Sequence, residues 1–388
     1  LNSFRFHNPT VLYYGKGQLQ KHLAAEVKAY GRKVLLVYGG GSIKKSGLYD
    51  TVRNLLTDAA LQVFELPGVE PNPRLSTVRK GIDICRTEGI ELVLAVGGGS
   101  VLDCSKAIVL GTKYPGDVWD IFAKHIQPEE ALPLGTVLTM AATGSEMNSG
   151  GVITNWDTKE KLGGGSPAAF PKFSFCDAEN TYTVPRDQTV NGMSDILAHC
   201  FEHYFHATPE TPLQQRLIES VIATLVEYAP KVLANPTDFH ARETVMYCST
   251  MALNGMISMG LVGDWACHGI EHEISAIYDI PHGGGLAIVF PNWMDNVVDV
   301  NPQRFAQLGE RVFGVERNGR SDKEVALDTI AKVREFFGSI GAPQRLADYG
   351  IGGDDIQHMA AQAVRYGHLG NFKKLTQEDV AEILRNSL

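Results

Sequence analysis

Two apolar runs constrain this chain more than any other feature. Lys33–Tyr38 (KVLLVY) and Glu91–Val96 (ELVLAV) lack the polar alternation of a half-exposed strand, and each is followed by Gly-Gly-Gly-Ser, at 39–42 and 97–100. A strand that is apolar on both faces has to be covered on both, which is the situation of a parallel sheet between helical layers. The surrounding residues agree. A helix-like stretch runs from the first glycine tract through Leu56, Thr77–Glu88 has helical period, and Gln62–Leu66 and Leu134–Thr139 read as further strands. Strands separated by single helices predict an α/β domain with a Rossmann-like parallel sheet.

After about Thr183 the texture changes. Leu213–Leu233, Ala241–Ile257, Val325–Ile340 and Gln377–Leu388 carry apolar residues at helical spacing, with glycine and proline as punctuation between them. At 388 residues the chain exceeds the size of a single core. We therefore expect α/β plus all-α architecture: a dinucleotide-binding domain over 1–184, a helical metal-binding domain over 185–388, and a cleft between them.

Bulk composition removes several function classes. A net charge of −9 argues against a polyanion-binding surface, so nucleic acid is not an expected partner. No apolar run approaches a membrane span, and Leu1–Thr10 lacks the layout of a signal peptide. The six cysteines are scattered without a Cys-x-x-Cys pair, which suits free thiols in a reducing cytoplasm.

Each glycine tract lies between a strand and a helix, where backbone N–H groups and the positive helix end face an anion. The second tract, Gly97-Gly98-Gly99-Ser100-Val101-Leu102-Asp103, departs from the G-x-G-x-x-G fingerprint because Leu102 stands at the third glycine. Either tract alone could be a simple tight turn; the pair points to a nucleotide. An NAD-selective site commonly places an acidic side chain on the ribose 2′-OH. The first tract instead offers Gly39, Gly40 and Ser42, followed by Lys44 and Lys45, which leaves room and charge for a 2′-phosphate. The two lysines also suit a solvated helix start. A third polar cluster, Thr139 to Glu146, follows the strand at Leu134–Thr139, where hydroxyls are placed either for ligand contact or as helix caps.

Histidine and carboxylate spacing is the strongest chemical signal. Asp195 and His199 are four apart in a helical stretch, which puts both side chains on one face. His268 and His272 repeat the spacing, and His282 opens a glycine-rich turn ahead of Leu286–Phe290. Any one of these could be structural; two paired sets within one helical domain favour a metal. Donors of the Asp-His-His-His type, without thiolate, suit Fe(II) or Zn(II). His203, four beyond His199, reads as a supporting residue, and Cys200 and Cys267 are not counted as ligands.

With these motifs in order, the chain resembles the iron-containing (group III) alcohol dehydrogenase family, in its NADPH-dependent butanol dehydrogenase or aldehyde reductase branch. The resemblance runs through Phe6–Thr10, Tyr38–Lys45, Pro71-Asn72-Pro73, Gly97–Asp103, Ala142–Glu146 and Trp265–Gly283. It implies metal ligands at Asp195, His199, His268 and His282, with His272 beside the nicotinamide as a catalytic candidate. It implies cofactor contacts at Gly39, Gly40, Ser42, Gly97, Gly98, Gly99, Ser100, Asp103, Thr139, Thr143, Ser145, Asn148 and Lys161, and a homodimer. The expected activity is metal-dependent hydride transfer between NADP(H) and short-chain aldehydes such as butanal. A glycerol-type polyol dehydrogenase, a dehydroquinate-synthase-like lyase with retained NAD, and a nucleotide-sensing binding protein are the other readings; the last gives the histidines no role.

Overall fold

The computed structural model describes residues 1–388. Its first part runs β1 (Val11–Tyr14), α1 (Gln18–Tyr30), β2 (Lys33–Tyr38), α2 (Ser42–Lys45), α3 (Leu48–Asp58), β3 (Gln62–Leu66), α4 (Leu75–Glu88) and β4 (Leu92–Gly97). It continues through α5 (Gly99–Lys113), α6 (Trp119–Ala123), β5 (Leu134–Leu138), β6 (Gly150–Asn155), β7 (Glu160–Gly165) and β8 (Phe173–Cys176). Six strands form one sheet in the order β1-β8-β5-β4-β2-β3, and every pairing in it is parallel.

The unbroken apolar character of β2 and β4 has a direct cause. Leu35 and Val37 join Val93 and Ala95 in one core, while Val34, Leu36 and Tyr38 join Leu92, Leu94 and Val96 in another. Successive side chains point to opposite faces, and both faces are buried, so no position can be polar. Each such side chain contributes roughly 1.5–3 kcal/mol of burial. The sheet reverses its winding between β2 and β4. β3 lies outside β2, whereas β5 lies outside β4. Ligands of open α/β sheets bind at the carboxyl ends of strands at such a reversal, and both glycine tracts are there.

The edge strand β1, the last strand β8 and the antiparallel hairpin β6–β7 are additions to the expected plan. The single helix-like stretch after the first tract is two helices, α2 and α3, separated at Gly47, whose φ of 80° is left-handed.

The second part is helical: α7 (Arg186–Tyr204), α8 (Pro212–Ala234), α9 (Phe239–Leu253), α10 (Ala266–Tyr278), α11 (His282–Val297), α12 (Pro302–Leu308), α13 (Asp322–Ile340), α14 (Ile356–Ala363) and α15 (Gln377–Asn386). Residues 189–204 of α7 are all buried, the pattern of a helix surrounded by others, and α7 packs on α8 and α11. α13 starts on a Ser321–Glu324 capping box and stops at left-handed Gly341. No helix is long and apolar enough to cross a membrane.

The chain divides into two compact units. One comprises His7–Pro185 and Pro236–Thr250; the other comprises Leu1–Phe6, Arg186–Asn235 and Met251–Leu388. These units differ from the expected ranges 1–184 and 185–388 in two places. Most of α9 belongs with the α/β sheet, because Met246 is in its core, the Tyr14 hydroxyl donates to the Glu243 carbonyl, and the Thr250 hydroxyl donates to Glu146. The first six residues belong with the helices, where Asn2 N–H donates to the Gly260 carbonyl.

Candidate active site

Within the α/β unit, the predicted cofactor residues collect at the carboxyl ends of β2, β4 and β5. Gly39 and Gly40 follow β2, Gly41 takes a left-handed φ of 113°, and Ser42 opens α2. A Cβ at Gly40 would meet nothing within 4 Å, so this side of the tract is open. Gly97 ends β4, Gly98 precedes α5, and Gly99, Ser100 and Asp103 lie in its first turns, with no side chain capping the helix. A Cβ at Gly99 would stand 2.5 Å from Thr143 Cγ2, which shows how closely the segment after β5 crosses the helix start. Thr139 N–H donates to the Gly97 carbonyl and anchors that segment. An uncapped helix start, close backbone and a sheet reversal fit the pyrophosphate of a dinucleotide.

Asp103, Ser145 and Asn148 are drawn into a buried network around Lys106, which sequence reasoning overlooked. Lys106 Nζ donates to Ser145 Oγ (2.7 Å), Asn148 Oδ1 (2.7 Å) and the Gly150 carbonyl (2.8 Å). Ser145 Oγ donates to Asp103 Oδ1 at 2.7 Å, and Val152 N–H donates to Asp103 Oδ2 at 2.9 Å. Lys161 on β7 is buried and adds positive charge near Asp103. Burial pulls the Lys106 ammonium down to about 8 against the opposing effect of Asp103 and Glu146. These side chains hold the 143–150 segment in place. The available signal was a single lysine inside the apolar helix Val101–Leu110, three residues after an aspartate.

Within the helical unit, α7, α10 and α11 bring Asp195, His268 and His282 together, with ligand atoms all within 4.8 Å of one another. Asp195 Oδ1 lies 3.7 Å from His282 Nε2 and 4.0 Å from His268 Nε2. His199, one helical turn after Asp195, has Nδ1 3.7 Å from the same oxygen and its ring centre 4.8 Å from that of His268. It borders the close group without belonging to it. Burial, reinforced by His268, His282 and His203, pushes the His199 imidazole well below its usual range, so it is neutral and offers a lone pair.

His268 Nδ1 lies 2.8 Å from Glu202 Oε1, and His282 Nδ1 contacts Glu271. Both rings therefore turn Nε2 toward Asp195. His268 Nε2 is buried with no hydrogen-bond partner. Nitrogen donors converging on one buried carboxylate, without a thiolate among them, fit a borderline divalent ion.

His272 is half-buried on α10, with its ring centre 5.5 Å from that of His282, and forms a second close group with Glu271 and His282. His203 is buried edge-on to Trp265, and Cys200 and Cys267 are fully buried outside both groups. The glycine-rich turn expected after His282 is instead the first turn of α11. Glycine stands at 283 and 284 of this helix because a Cβ there would be 1.9 Å from the Asn191 carbonyl oxygen and 2.0 Å from the Tyr349 hydroxyl.

Comparison with known proteins identifies the family. The family model described as iron-containing alcohol dehydrogenase matches residues 9–178, and that of the Fe-containing alcohol dehydrogenase family, C-terminal, matches 189–388. A probable NADH-dependent butanol dehydrogenase 1 of Bacillus subtilis is 56% identical over 388 residues, covering 100% of both chains. The NADPH-dependent aldehyde reductase of Escherichia coli is 37% identical, over 95% of this chain and 94% of its own. The crystal structure of NADH-dependent butanol dehydrogenase A from Thermotoga maritima superposes with a TM-score of 0.95 at 41% identity, covering 100% of this chain and 98% of that one. The chain thus belongs to the iron-containing alcohol dehydrogenase family, as an oxidoreductase of the alcohol dehydrogenase class.

Proposed function

We propose that this protein is a metal-dependent, NADP(H)-using aldehyde reductase that converts short-chain aldehydes such as butanal to primary alcohols, and runs in reverse as an alcohol dehydrogenase. The observation that carries the reading is the convergence of His268 Nε2 and His282 Nε2 on Asp195 Oδ1, with His199 alongside. An ion held there by these four side chains would supply Lewis acidity toward a carbonyl oxygen. A bound nicotinamide supplies the hydride.

The chain's own tasks are binding, orientation and proton handling. The Gly97–Ser100 backbone and the start of α5 receive the pyrophosphate, and Lys106 fixes the segment that crosses them. The open side of Gly40 leaves room for a ribose 2′-phosphate, with the exposed Ser42 hydroxyl beside it; this supports NADPH over NADH. His272, half-buried beside His282, delivers a proton from an imidazole nitrogen to the product alkoxide. The six buried free cysteines suit a reducing cytoplasm, and a homodimer is the assembly we expect.

The test is the initial rate of NADPH oxidation with butanal, on protein stripped of metal and reloaded anaerobically with Fe(II) or Zn(II), with NADH alongside. Turnover restored by one ion and faster with NADPH is the expected result. Absence of butanal-dependent turnover with either ion and either cofactor would overturn the assignment.

A further inference from the structure

We propose that Glu202 and Glu271 are positioning residues of the metal centre, linked in a relay in which each ligand-bearing helix (α7, then α10) orients the ligand carried by the next ligand-bearing one (α10, then α11). The inference rests on the metal reading above. It begins with a repeated spacing: His199-Cys-Phe-Glu202 on α7 and His268-Gly-Ile-Glu271 on α10. Three residues apart on a helix, histidine and glutamate share a face. The glutamate does not serve its own histidine. Glu202 Oε1 on α7 meets His268 Nδ1 on α10 at 2.8 Å, and Glu271 on α10 meets His282 Nδ1 on α11.

The consequence is chemical. A neutral imidazole has one N–H and one lone pair, and a carboxylate at Nδ1 fixes the N–H there. Nε2 of both rings is left as the lone-pair atom, and both are directed at Asp195. Carboxylates in this position raise ligand basicity and fix ring orientation.

Independent features show that both carboxylates are built in. Glu202 is buried and also accepts from Trp265 N–H (2.5 Å) and His268 N–H (3.0 Å), so it sits at the positive end of α10. Those bonds hold Trp265 at a φ of 65°, a left-handed conformation uncommon for a bulky side chain. Glu271 is fully buried and also accepts from the Ser275 hydroxyl. Gly285 makes room for it: a Cβ there would stand 2.8 Å from Glu271 Cγ and 3.0 Å from Oε1.

The experiment measures metal binding rather than turnover. Dissociation constants for Zn(II) are obtained by chelator competition on wild type, Glu202→Gln, Glu271→Gln and Asp195→Ala. Each glutamine variant keeps the shape and an acceptor oxygen but loses the charge, and should bind Zn(II) about 10–100-fold more weakly. Binding within twofold of wild type in either glutamine variant would refute the relay. If Asp195→Ala also binds like wild type, the metal centre itself is refuted; if only the glutamine variants do, the metal centre stands and the relay falls. A second measurement does not depend on the variants folding. Long-range proton–nitrogen spectra of metal-free, histidine-labelled wild type should show the Nδ1–H tautomer at His268 and His282. The Nε2–H tautomer at either site would overturn the proposal.

Discussion

Replacing glycine by alanine should have opposite effects at two helical positions, and the structure sets both magnitudes. At Gly283 the added Cβ would stand 1.9 Å from the Asn191 carbonyl oxygen and 2.7 Å from its carbon, both main-chain atoms of α7. Ordinary contact begins near 3.4 Å, so the start of α11 would have to withdraw by about 1.5 Å in a close-packed interior. Overpacking costs about 1–3 kcal/mol, and a main-chain obstacle puts Gly283→Ala at the upper end, about 3 kcal/mol. At Gly338, exposed in the last turn of α13, the nearest atom to the new Cβ is Gln344 Oε1 at 3.8 Å. Here alanine only restricts the unfolded chain and favours helix, a gain of about 0.5–1 kcal/mol. At about 1.2 °C per kcal/mol for a 388-residue chain, Gly283→Ala should melt roughly 4 °C below wild type and Gly338→Ala roughly 0.5–1 °C above it. Scanning calorimetry of metal-free protein is the assay, since bound metal adds its own stabilisation. The reasoning is refuted if Gly283→Ala melts at or above wild type, or if Gly338→Ala melts clearly below it.

Other perturbations test other parts of the molecule. Lys106→Met removes the cation beside buried Asp103 together with its three hydrogen bonds, and should cost about 3–5 kcal/mol in urea unfolding. The same variant should bind NADPH more weakly by fluorescence titration; unchanged stability would show that the network contributes nothing. Gly40→Asp places a carboxylate in open space where a 2′-phosphate would lie, and should lower kcat/KM for NADPH at least about tenfold while sparing NADH. Equal loss with both cofactors would count against the NADP(H) reading. Burial, helped by Arg304, holds the His206 imidazole down at about 4, so between pH 6.5 and 4 the unfolded chain binds a proton that the folded chain refuses. Stability from this group is thus present above 6.5 and lost as pH falls toward 4, by up to about 1.4 kcal/mol per pH unit. Melting of His206→Gln should be visibly less acid-sensitive over that window, and a profile parallel to wild type would contradict the sign.

The parts of the fold legible in the sequence were those where one periodicity dominated. Lys33–Tyr38 and Gln62–Leu66 are strands with the predicted ends, and Leu213–Leu233 and Gln377–Leu388 differ from α8 and α15 by one or two terminal residues. The β1 and β8 strands escaped because four residues, VLYY and FSFC, are too short to show a period. The β6–β7 hairpin was hidden by its glycines, which read as loop but allow close packing where Gly151 meets Asp103 and Gly164 meets Phe122. At the site, Asp195, His199, His268, His272 and His282 stood out as candidates in the sequence, the family resemblance implied which four were ligands, and the structure brings Asp195, His268 and His282 into one close group. Glu202 and Glu271 were passed over because a glutamate on a helix is ordinarily a solvated one, and only tertiary packing showed both to be buried against a ring nitrogen.

The return of residues 236–250 to the sheet has a consequence for how the protein is made. During synthesis, a nascent chain that has emerged only as far as Pro185 already holds all eight strands, yet lacks Met246 from the core, Thr250 beside buried Glu146 and the Glu243 carbonyl that receives Tyr14. Domains generally fold as units, amino-terminal first, as the ribosome releases them. Here the amino-terminal unit has to wait through α7 and α8, two long helices of its partner unit, before its own final piece arrives. Cutting the gene at the visible change of texture would therefore yield a fragment with an unfilled core rather than an isolated nucleotide-binding module.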